Sequence, residues 1–203
     1  MPTRPALLLT LLAASPPVAA QTHAGHNGWH LGGGVDALRF AHVVVSAAGP
    51  GAAAEVRPSN RAAFHLGVGR SIGPWDVGIE AGLAEGHIEA RNDVVAISDL
   101  TADVTRYRLG ISMSRAIAAL ATGELALELA PTLDHWSLDG TYRTRAGAEG
   151  RLVLRVPLGS WEVEQRLGFG LSGSPIDAAD VGDVAEVRGL RTLTIGFGVR
   201  TRL

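Results

Sequence analysis

The sequence RGLRTLTIGFGVRTRL, from Arg188 to Leu203, repeats with a period of two. One set of alternate residues is mostly apolar and consists of Leu193, Ile195, Phe197, Val199, Thr201 and Leu203. The other set is polar or small and consists of Thr192, Thr194, Gly196, Gly198, Arg200 and Arg202. Because successive side chains of a β-strand point to opposite faces, the stretch predicts a strand with one apolar and one polar face.

Seven further segments of similar pattern precede this one, at residues 29–41, 62–72, 75–89, 101–117, 124–138, 146–157 and 161–172. The links after the second, fourth and sixth strands are short. The links after the first, third, fifth and seventh are mostly longer, at 42–61, 90–100, around Asp139-Gly140 and at 173–187. The hexapeptides IGPWDV (72–77) and LGSWEV (158–163) repeat one turn-and-strand unit. The sequence therefore predicts an all-β, antiparallel, up-and-down sheet of eight strands built from hairpins.

The first twenty residues have the features of a secretory signal peptide. Arg4 precedes an apolar stretch from Ala6 to Ala14, and Val18-Ala19-Ala20 supplies small residues before a cut at Gln21. A membrane-anchoring helix is the alternative, but it needs about 20 apolar residues, more than this stretch offers. We expect a cleaved signal at 1–20, a flexible segment at 21–28 and a single barrel domain at 29–203.

The composition narrows the possible partners. The chain of 203 residues has no Cys, so it has neither disulfides nor thiolate metal sites. All 18 basic residues are Arg, and the formal net charge is −2, which gives no reason to expect a nucleic-acid partner. No cofactor is expected.

Alternation alone leaves open whether the apolar face points inward, as in a soluble barrel or sandwich, or outward to lipid. The polar face carries mainly Gly, Ala and charges of both signs, which suits a narrow lumen. Arg70, Arg115 and Arg191 fall on the apolar face, but only near strand ends, where an arginine facing lipid costs little. Three tryptophans begin strands at the short-turn end and fit an interfacial aromatic girdle: Trp29, Trp75 and Trp161. The pattern favours a closed transmembrane β-barrel.

In this pattern the chain resembles the small eight-stranded outer-membrane β-barrels of Gram-negative bacteria, the OmpA/OmpX type, over 29–203. The resemblance implies a monomer in outer-membrane lipid, with N- and C-termini in the periplasm and long loops outside. It also implies insertion by the barrel assembly machinery, guided by the last strand. One departure is the final residue, because such strands usually end on an aromatic residue and this one ends on Leu203.

The lumen of an eight-stranded barrel is just wide enough to be filled by side chains. We expect a mutually neutralised charge network that blocks the short-turn end. A hydrated, conducting passage is the alternative. The expected network consists of Asp76, Glu80, Glu128, Arg155, Glu162, Glu164, Arg166, Arg200 and Arg202.

Three other groups of residues have possible chemical roles. His135 and Ser137, with Asp134 beside them, are the best candidates for a nucleophile and base of a lipid A-modifying enzyme. His23, His26 and His30 have a spacing that can hold Zn or Cu, although a solvated tail is the default. The last loop carries Asp177, Asp180, Asp183 and Glu186. A bound cation is one interpretation of these carboxylates, and a solvated acidic loop is the default. His42, His65 and His87 are expected in the lumen or near the rim without partners.

The leading interpretation is a non-enzymatic envelope protein with a structural or surface-interaction role, without catalytic or metal-binding residues. A lipid A-modifying enzyme and a soluble, lipid-carrying periplasmic β-barrel are the alternatives. The fold alone does not choose between these functions.

Overall fold

The computed structural model describes residues 28–41, 43–46, 55–91, 96–177 and 185–203. The expected signal peptide and the segment at 21–27 lie outside these residues. The strands are β1 (Trp29–Phe40), β2 (Val44–Ser46), β3 (Glu55–Pro58), β4 (Arg61–Ile72), β5 (Trp75–Arg91), β6 (Ala96–Leu120), β7 (Gly123–Leu138), β8 (Thr141–Leu158), β9 (Trp161–Ser172), β10 (Ala185–Val187) and β11 (Leu190–Arg202). No helix in the described ranges is long and apolar enough to cross a membrane.

Eight of these strands form a closed ring. The order around it is β1, β4, β5, β6, β7, β8, β9 and β11, and every neighbouring pair is antiparallel. The ring closes where β1 pairs with β11, from His30 opposite Arg202 to Phe40 opposite Thr192. Since a closed sheet has no free edge, this pairing satisfies the backbone of both terminal strands. The predicted eight-stranded, up-and-down barrel is confirmed.

The short turns lie at one end of the barrel, beside both terminal strands. Gly73 and Gly159 begin two of them, with φ of 58° and 65°. Glycine adopts this left-handed conformation without steric cost, and its twist suits a two-residue hairpin. At the same end, Leu203 N donates to Trp29 O at 2.9 Å.

The links at the opposite end differ from the predicted ones in two ways. The third is not long: β7 and β8 are joined by a two-residue turn at Asp139 and Gly140, with φ of 45° and 79°. This is the Asp-Gly geometry that favours tight hairpins. The second is shortened, because β5 extends to Arg91 and β6 begins at Ala96. A register shift between His87 and Ile88 interrupts the alternation there, which explains why the extension was not predicted.

The predicted links 42–61 and 173–187 also contain the short strands β2, β3 and β10. These strands form a small extension of the sheet at the long-loop end of β5. There β3 pairs with β5, β2 pairs with β3, and β10 pairs with β2. Runs of three or four residues are too short for a period of two to be recognised.

The apolar side of the strands faces outward. Phe64, Leu66, Ile79 and Phe197 are 64%, 69%, 54% and 58% exposed. The centre holds charged side chains instead, among them Arg151 and Glu164, both buried. The alternative of a soluble barrel with a dry apolar centre is therefore wrong.

Candidate functional site

The lumen is the most highly organised polar region of the molecule. Alternate residues of each barrel strand point into it, so strands with charges at those positions bring carboxylates and guanidinium groups together. Ten charged side chains are less than 10% exposed there: Asp36, Arg106, Glu128, Asp134, Glu149, Arg151, Arg155, Glu162, Glu164 and Arg200. Burial of so many charges is tolerated only when they are paired.

Arg151 on β8 connects the carboxylates in the middle part of the network. Its Nη1 donates to Glu128 Oε1 at 2.8 Å, and its Nη2 donates to Glu80 Oε1 at 2.8 Å and to Glu149 Oε2 at 3.1 Å. Arg166 on β9 donates to Glu80 Oε2 at 2.7 Å. Because β5 is a ring neighbour of neither β8 nor β9, the bonds to Glu80 cross the lumen.

Asp76 on β5 is the centre of the short-turn end of the network. Its Oδ2 accepts from Arg155 Nη1 and from Arg200 Nη1, each at 3.0 Å. Arg155 also donates through Nε to Glu164 Oε1 at 3.2 Å, and Arg200 donates through Nε to Glu162 Oε2 at 2.5 Å. Side chains of β5, β8, β9 and β11 thus close this end of the lumen.

Toward the long-loop end, the network continues through Asp134 on β7. Its two oxygens accept from Arg106 Nη2 at 2.8 Å and from Arg108 Nε at 2.9 Å. Arg108 also contacts Glu149, which joins this group to Arg151. The network was expected only at the short-turn end, but it extends along the lumen toward the long-loop end.

An apolar cap, which was not predicted from the sequence, covers the charges on the side of the long-loop end. Trp136 on β7 is 1% exposed and packs edge-on against Phe40, with ring centroids 6.0 Å apart. Arg106 Cζ lies 5.2 Å from the Trp136 ring and 5.6 Å from the Phe40 ring, at the boundary between cap and charges. The buried members of the cap are Leu38, Phe40, Val43, Ala63, Ala84, Val104, Trp136, Ile176 and Leu190.

All nine residues of the expected charge network occur in the observed one. Arg202 lies at its edge, 46% exposed by side chain, and donates to Glu162 Oε1 at 2.7 Å. The remaining eight are Asp76, Glu80, Glu128, Arg155, Glu162, Glu164, Arg166 and Arg200. These residues were predicted because they occupy the alternate strand positions that face the lumen. The same parity applies to Asp36, Glu149 and Arg151, which were not among the nine expected residues.

A cavity of about 40 Å³ remains in the half of the lumen nearer the short-turn end, between His30, Asp76, Glu128 and Arg166. It is large and polar enough for ordered water. His30 lines this cavity as part of β1, whereas His23 and His26 lie outside the described residues. Within the described part of the chain, no group of three or more His, Asp or Glu side chains is arranged to hold a metal ion.

The three expected girdle tryptophans begin β1, β5 and β9 at the short-turn end. Trp29 and Trp161 are 53% and 49% exposed on the outer wall. Arg70 Cζ lies 5.8 Å from the Trp29 ring, and Arg115 Cζ lies 5.5 Å from the Trp75 ring. Cation–π contacts therefore hold these outward-facing arginines at the rim.

The candidate catalytic group is not assembled. Asp134 points into the lumen and binds two arginines, whereas His135 points outward. The His135 ring stacks on Tyr142, with centroids 5.6 Å apart, and its Nδ1 lies 3.0 Å from Thr144 Oγ1. Adjacent strand residues face opposite sides, so Asp134 and His135 are separated by the barrel wall.

Two other expectations need correction. His65 is buried with Nδ1 3.1 Å from Asp36 Oδ2, so it does have a partner. His87 Nδ1 lies 2.7 Å from Arg61 Nη2, so it also has one. His42 lies outside the described residues.

At least one carboxylate of the last loop is paired with arginines rather than only solvated. Asp177 accepts from Arg143 Nε at 3.0 Å and also contacts Arg145 on β8. Of the other predicted acidic residues, Asp180 and Asp183 fall outside the described residues, as does the side chain of Glu186.

Solved structures show what kind of barrel this is. The crystal structure of Neisserial surface protein A (NspA) is 10% identical, covers 88% of this chain and 99% of its own, and superposes with a TM-score of 0.62. The crystal structure of the outer membrane protein OprG from Pseudomonas aeruginosa is 11% identical, with the same coverage and a TM-score of 0.56. No protein-family model and no curated protein matches the sequence. The fold is that of small outer-membrane β-barrels.

Proposed function

We propose that this protein is a monomeric, non-enzymatic β-barrel protein of the Gram-negative outer membrane, with an envelope structural or surface-interaction role. One observation carries the proposal: the side chains are arranged inside out for a water-soluble protein. Large apolar residues cover the wall, and ion pairs fill the centre. Soluble monomers rarely expose contiguous apolar patches of more than a few hundred Å². Contact of such an apolar wall with the hydrocarbon of a membrane is energetically favourable.

The short-turn end, with both terminal strands, faces the periplasm in this proposal, and the long-loop end faces outside. The asymmetry of the links supports this orientation, since outer-membrane barrels have short periplasmic turns and longer extracellular loops. The cation–π contacts of Arg70 and Arg115 support an interface at the short-turn rim. The partners are outer-membrane lipid and, during insertion, the barrel assembly machinery.

The geometry at His135 supports a non-enzymatic role. A histidine acting as a base needs a nucleophile within hydrogen-bond reach and a third group to orient it. Here the Thr144 hydroxyl lies within reach of His135 Nδ1, but the neighbouring carboxylate of Asp134, which would have to orient the ring, is on the other side of the wall and binds two arginines. Mass spectrometry of lipid A with and without expression tests this. An altered acylation pattern that persists in His135→Ala leaves the enzyme alternative open elsewhere on the protein, and one that is lost assigns it to this residue.

Membrane fractionation and gel migration together test the location. We expect the full chain, expressed in a Gram-negative host, to fractionate with the outer membrane and to migrate differently before and after boiling. A closed barrel resists unfolding by detergent until heated, so the two forms differ in mobility. Recovery in the soluble periplasmic fraction would contradict the proposal.

A further inference from the structure

Outward-facing arginines of the barrel wall occur near both ends. Arg70 and Arg115 lie at the short-turn end, where each stacks on a tryptophan. Arg39 on β1 and Arg191 on β11 lie near the long-loop end, and both are exposed. The second pair has no such aromatic support among the described residues, which raises the question of what neutralises it.

Arg39 and Arg191 are close neighbours on one face of the wall. Arg39 is the cross-strand partner of Leu193, and Arg191 precedes Leu193 by two residues on the same strand. Ala41 N donates to Arg191 O at 2.9 Å, which fixes the register beyond that point. Diagonal neighbours of this kind are about 7–8 Å apart, well within the combined reach of two arginines.

Neither guanidinium group has a counter-charge in the described part of the chain. The side chains of Arg39 and Arg191 make no hydrogen bond, ion pair or ring contact with the residues that the structure describes. Like charges on neighbouring strands repel, and the repulsion grows where apolar surroundings lower the dielectric constant. An anion bound between the two side chains would remove this cost.

The wall beside the two arginines is apolar. Leu171, the cross-strand partner of Arg191, is 53% exposed, and Leu193 is 40% exposed. Toward the short-turn end the same face continues with Phe169 and Ile195, each 53% exposed. A ligand that fits this surface has an anionic head level with the arginines and long apolar chains that lie along the wall.

We propose that Arg39 and Arg191 bind a phosphate monoester of lipid A, with the acyl chains of that lipid against Leu171 and Leu193. The inference rests on the proposed function, which places the long-loop end in the outer leaflet. A phosphate monoester carries a charge of about −1.5 to −2, whereas the phosphodiester of a glycerophospholipid carries about −1. The larger charge matches two guanidinium groups, each able to bind phosphate oxygens through two parallel N–H groups.

Native mass spectrometry of the detergent-solubilised full chain, titrated with lipid A, tests the site. The variant is Arg39→Gln with Arg191→Gln. The matched control is Arg70→Gln with Arg115→Gln, which removes the same charge from the other rim. Because hydrogen bonds between charged groups are roughly twice as strong as neutral ones, removing both guanidinium groups is expected to weaken binding about tenfold or more. The control is expected to bind as the wild type does.

Dephosphorylated lipid A and phosphatidylglycerol separate phosphate-monoester recognition from apolar or general anionic binding. Both are expected to bind the wild type about tenfold more weakly than lipid A does, or weaker still, because neither offers a doubly charged phosphate. The inference is overturned if the Arg39–Arg191 variant keeps wild-type affinity, if the control variant is weakened as much, or if either comparison lipid binds as tightly as lipid A.

Heat-dependent gel mobility of each variant verifies that it is folded before binding is compared. Fractionation of the same proteins keeps the two proposals apart. A wild-type protein absent from the outer membrane contradicts the proposed function. A protein found in that membrane whose lipid A binding does not depend on Arg39 and Arg191 contradicts only this inference.

Discussion

Arg151 on β8 and Glu80 on β5 are joined across the lumen by two hydrogen bonds, Nη2 to Oε1 at 2.8 Å and Nη1 to Oε2 at 3.1 Å. Glu80 also accepts from Arg166 on β9. One carboxylate thus connects three strands, and two of them are not its neighbours in the ring. Because these groups are buried, removing one leaves the others without full neutralisation.

Glu80→Gln is expected to lower the free energy of unfolding by about 3 kcal/mol, since it leaves two buried guanidinium groups short of a counter-charge. The measurement is the urea midpoint of the folded band on a gel, in lipid vesicles. Glu85→Gln is the control, because Glu85 is on the same strand but exposed. It is expected to change the free energy by less than about 0.5 kcal/mol. Equal midpoints for the two variants would show that the network adds nothing to stability.

Gly196→Ala is expected to destabilise the seam between β1 and β11. A Cβ at Gly196 would lie 1.8 Å from Asp36 Oδ1, so the Asp36–His65 pair would have to move. Overpacking of this kind costs about 1–3 kcal/mol. At Gly82, in contrast, the nearest atom would be Phe64 O at 3.5 Å. Gly82→Ala is therefore the control in the same urea titration, and a larger destabilisation by Gly82→Ala would contradict the packing described for the seam.

Trp136→Ala is expected to lower the free energy of unfolding by about 3–5 kcal/mol, because it empties the centre of the apolar cap. Trp136→Phe should cost less, since it keeps an aromatic ring next to Phe40 and Arg106. Tyr142→Ala removes an aromatic ring that is 66% exposed on the outer wall, and serves as the control. If Trp136→Ala unfolds at the same urea concentration as Tyr142→Ala, the cap is not a packed core.

The wild-type barrel is expected to conduct no steady ion current in a planar bilayer. The Asp76–Arg155 ion pair crosses the lumen at the short-turn end, and the Glu80–Arg151 ion pair crosses it in the middle. The Phe40–Trp136 contact closes it toward the long-loop end. Single-channel recording measures this, with empty bilayers and heat-unfolded protein as controls. A reproducible open level with the folded protein would establish the hydrated passage instead.

Single-tryptophan variants are expected to place the girdle at the bilayer interface. Retaining Trp161 alone should give fluorescence that is quenched most by lipids brominated near the headgroup, because aromatic girdles sit at that depth. Retaining Trp136 alone should give little quenching at any depth, since its ring is buried in the lumen. Quenching of Trp161 that is strongest at the bilayer centre would contradict the girdle.

Long, uninterrupted strands could be predicted from the sequence, because the period of two is read directly in stretches such as β11. The same parity places Trp136 inside with Glu128, and it separates Asp134 from His135. Of these two assignments, only the inward position of Trp136 was not predicted. The tight turn at Asp139 and Gly140 was also encoded, although the sequence around it gave no clear strand start.

Contacts across the lumen could not be predicted in the same way. Register fixes which residues meet on adjacent strands, whereas Arg155 and Asp76 meet across the barrel and are 79 positions apart in sequence. That contact depends on the diameter of the barrel and on side-chain conformation. The short strands β2 and β10 likewise depend on their pairing with each other rather than on any pattern of their own.

The hydrogen bond between Asp76 and Arg200 has a consequence for how the chain acquires its shape. These residues are 124 positions apart, and the strands that carry them approach only when the cylinder is complete. Until then, the ion pairs that cross the cylinder, such as those of Asp76 and Glu80, are not formed, and their charged groups depend on water for stabilisation. An incomplete sheet with hydrocarbon on both faces would therefore expose unpaired charged side chains to hydrocarbon. Assembly must keep the concave side wet until the first and last strands meet, so drying of the interior is the final event rather than the first.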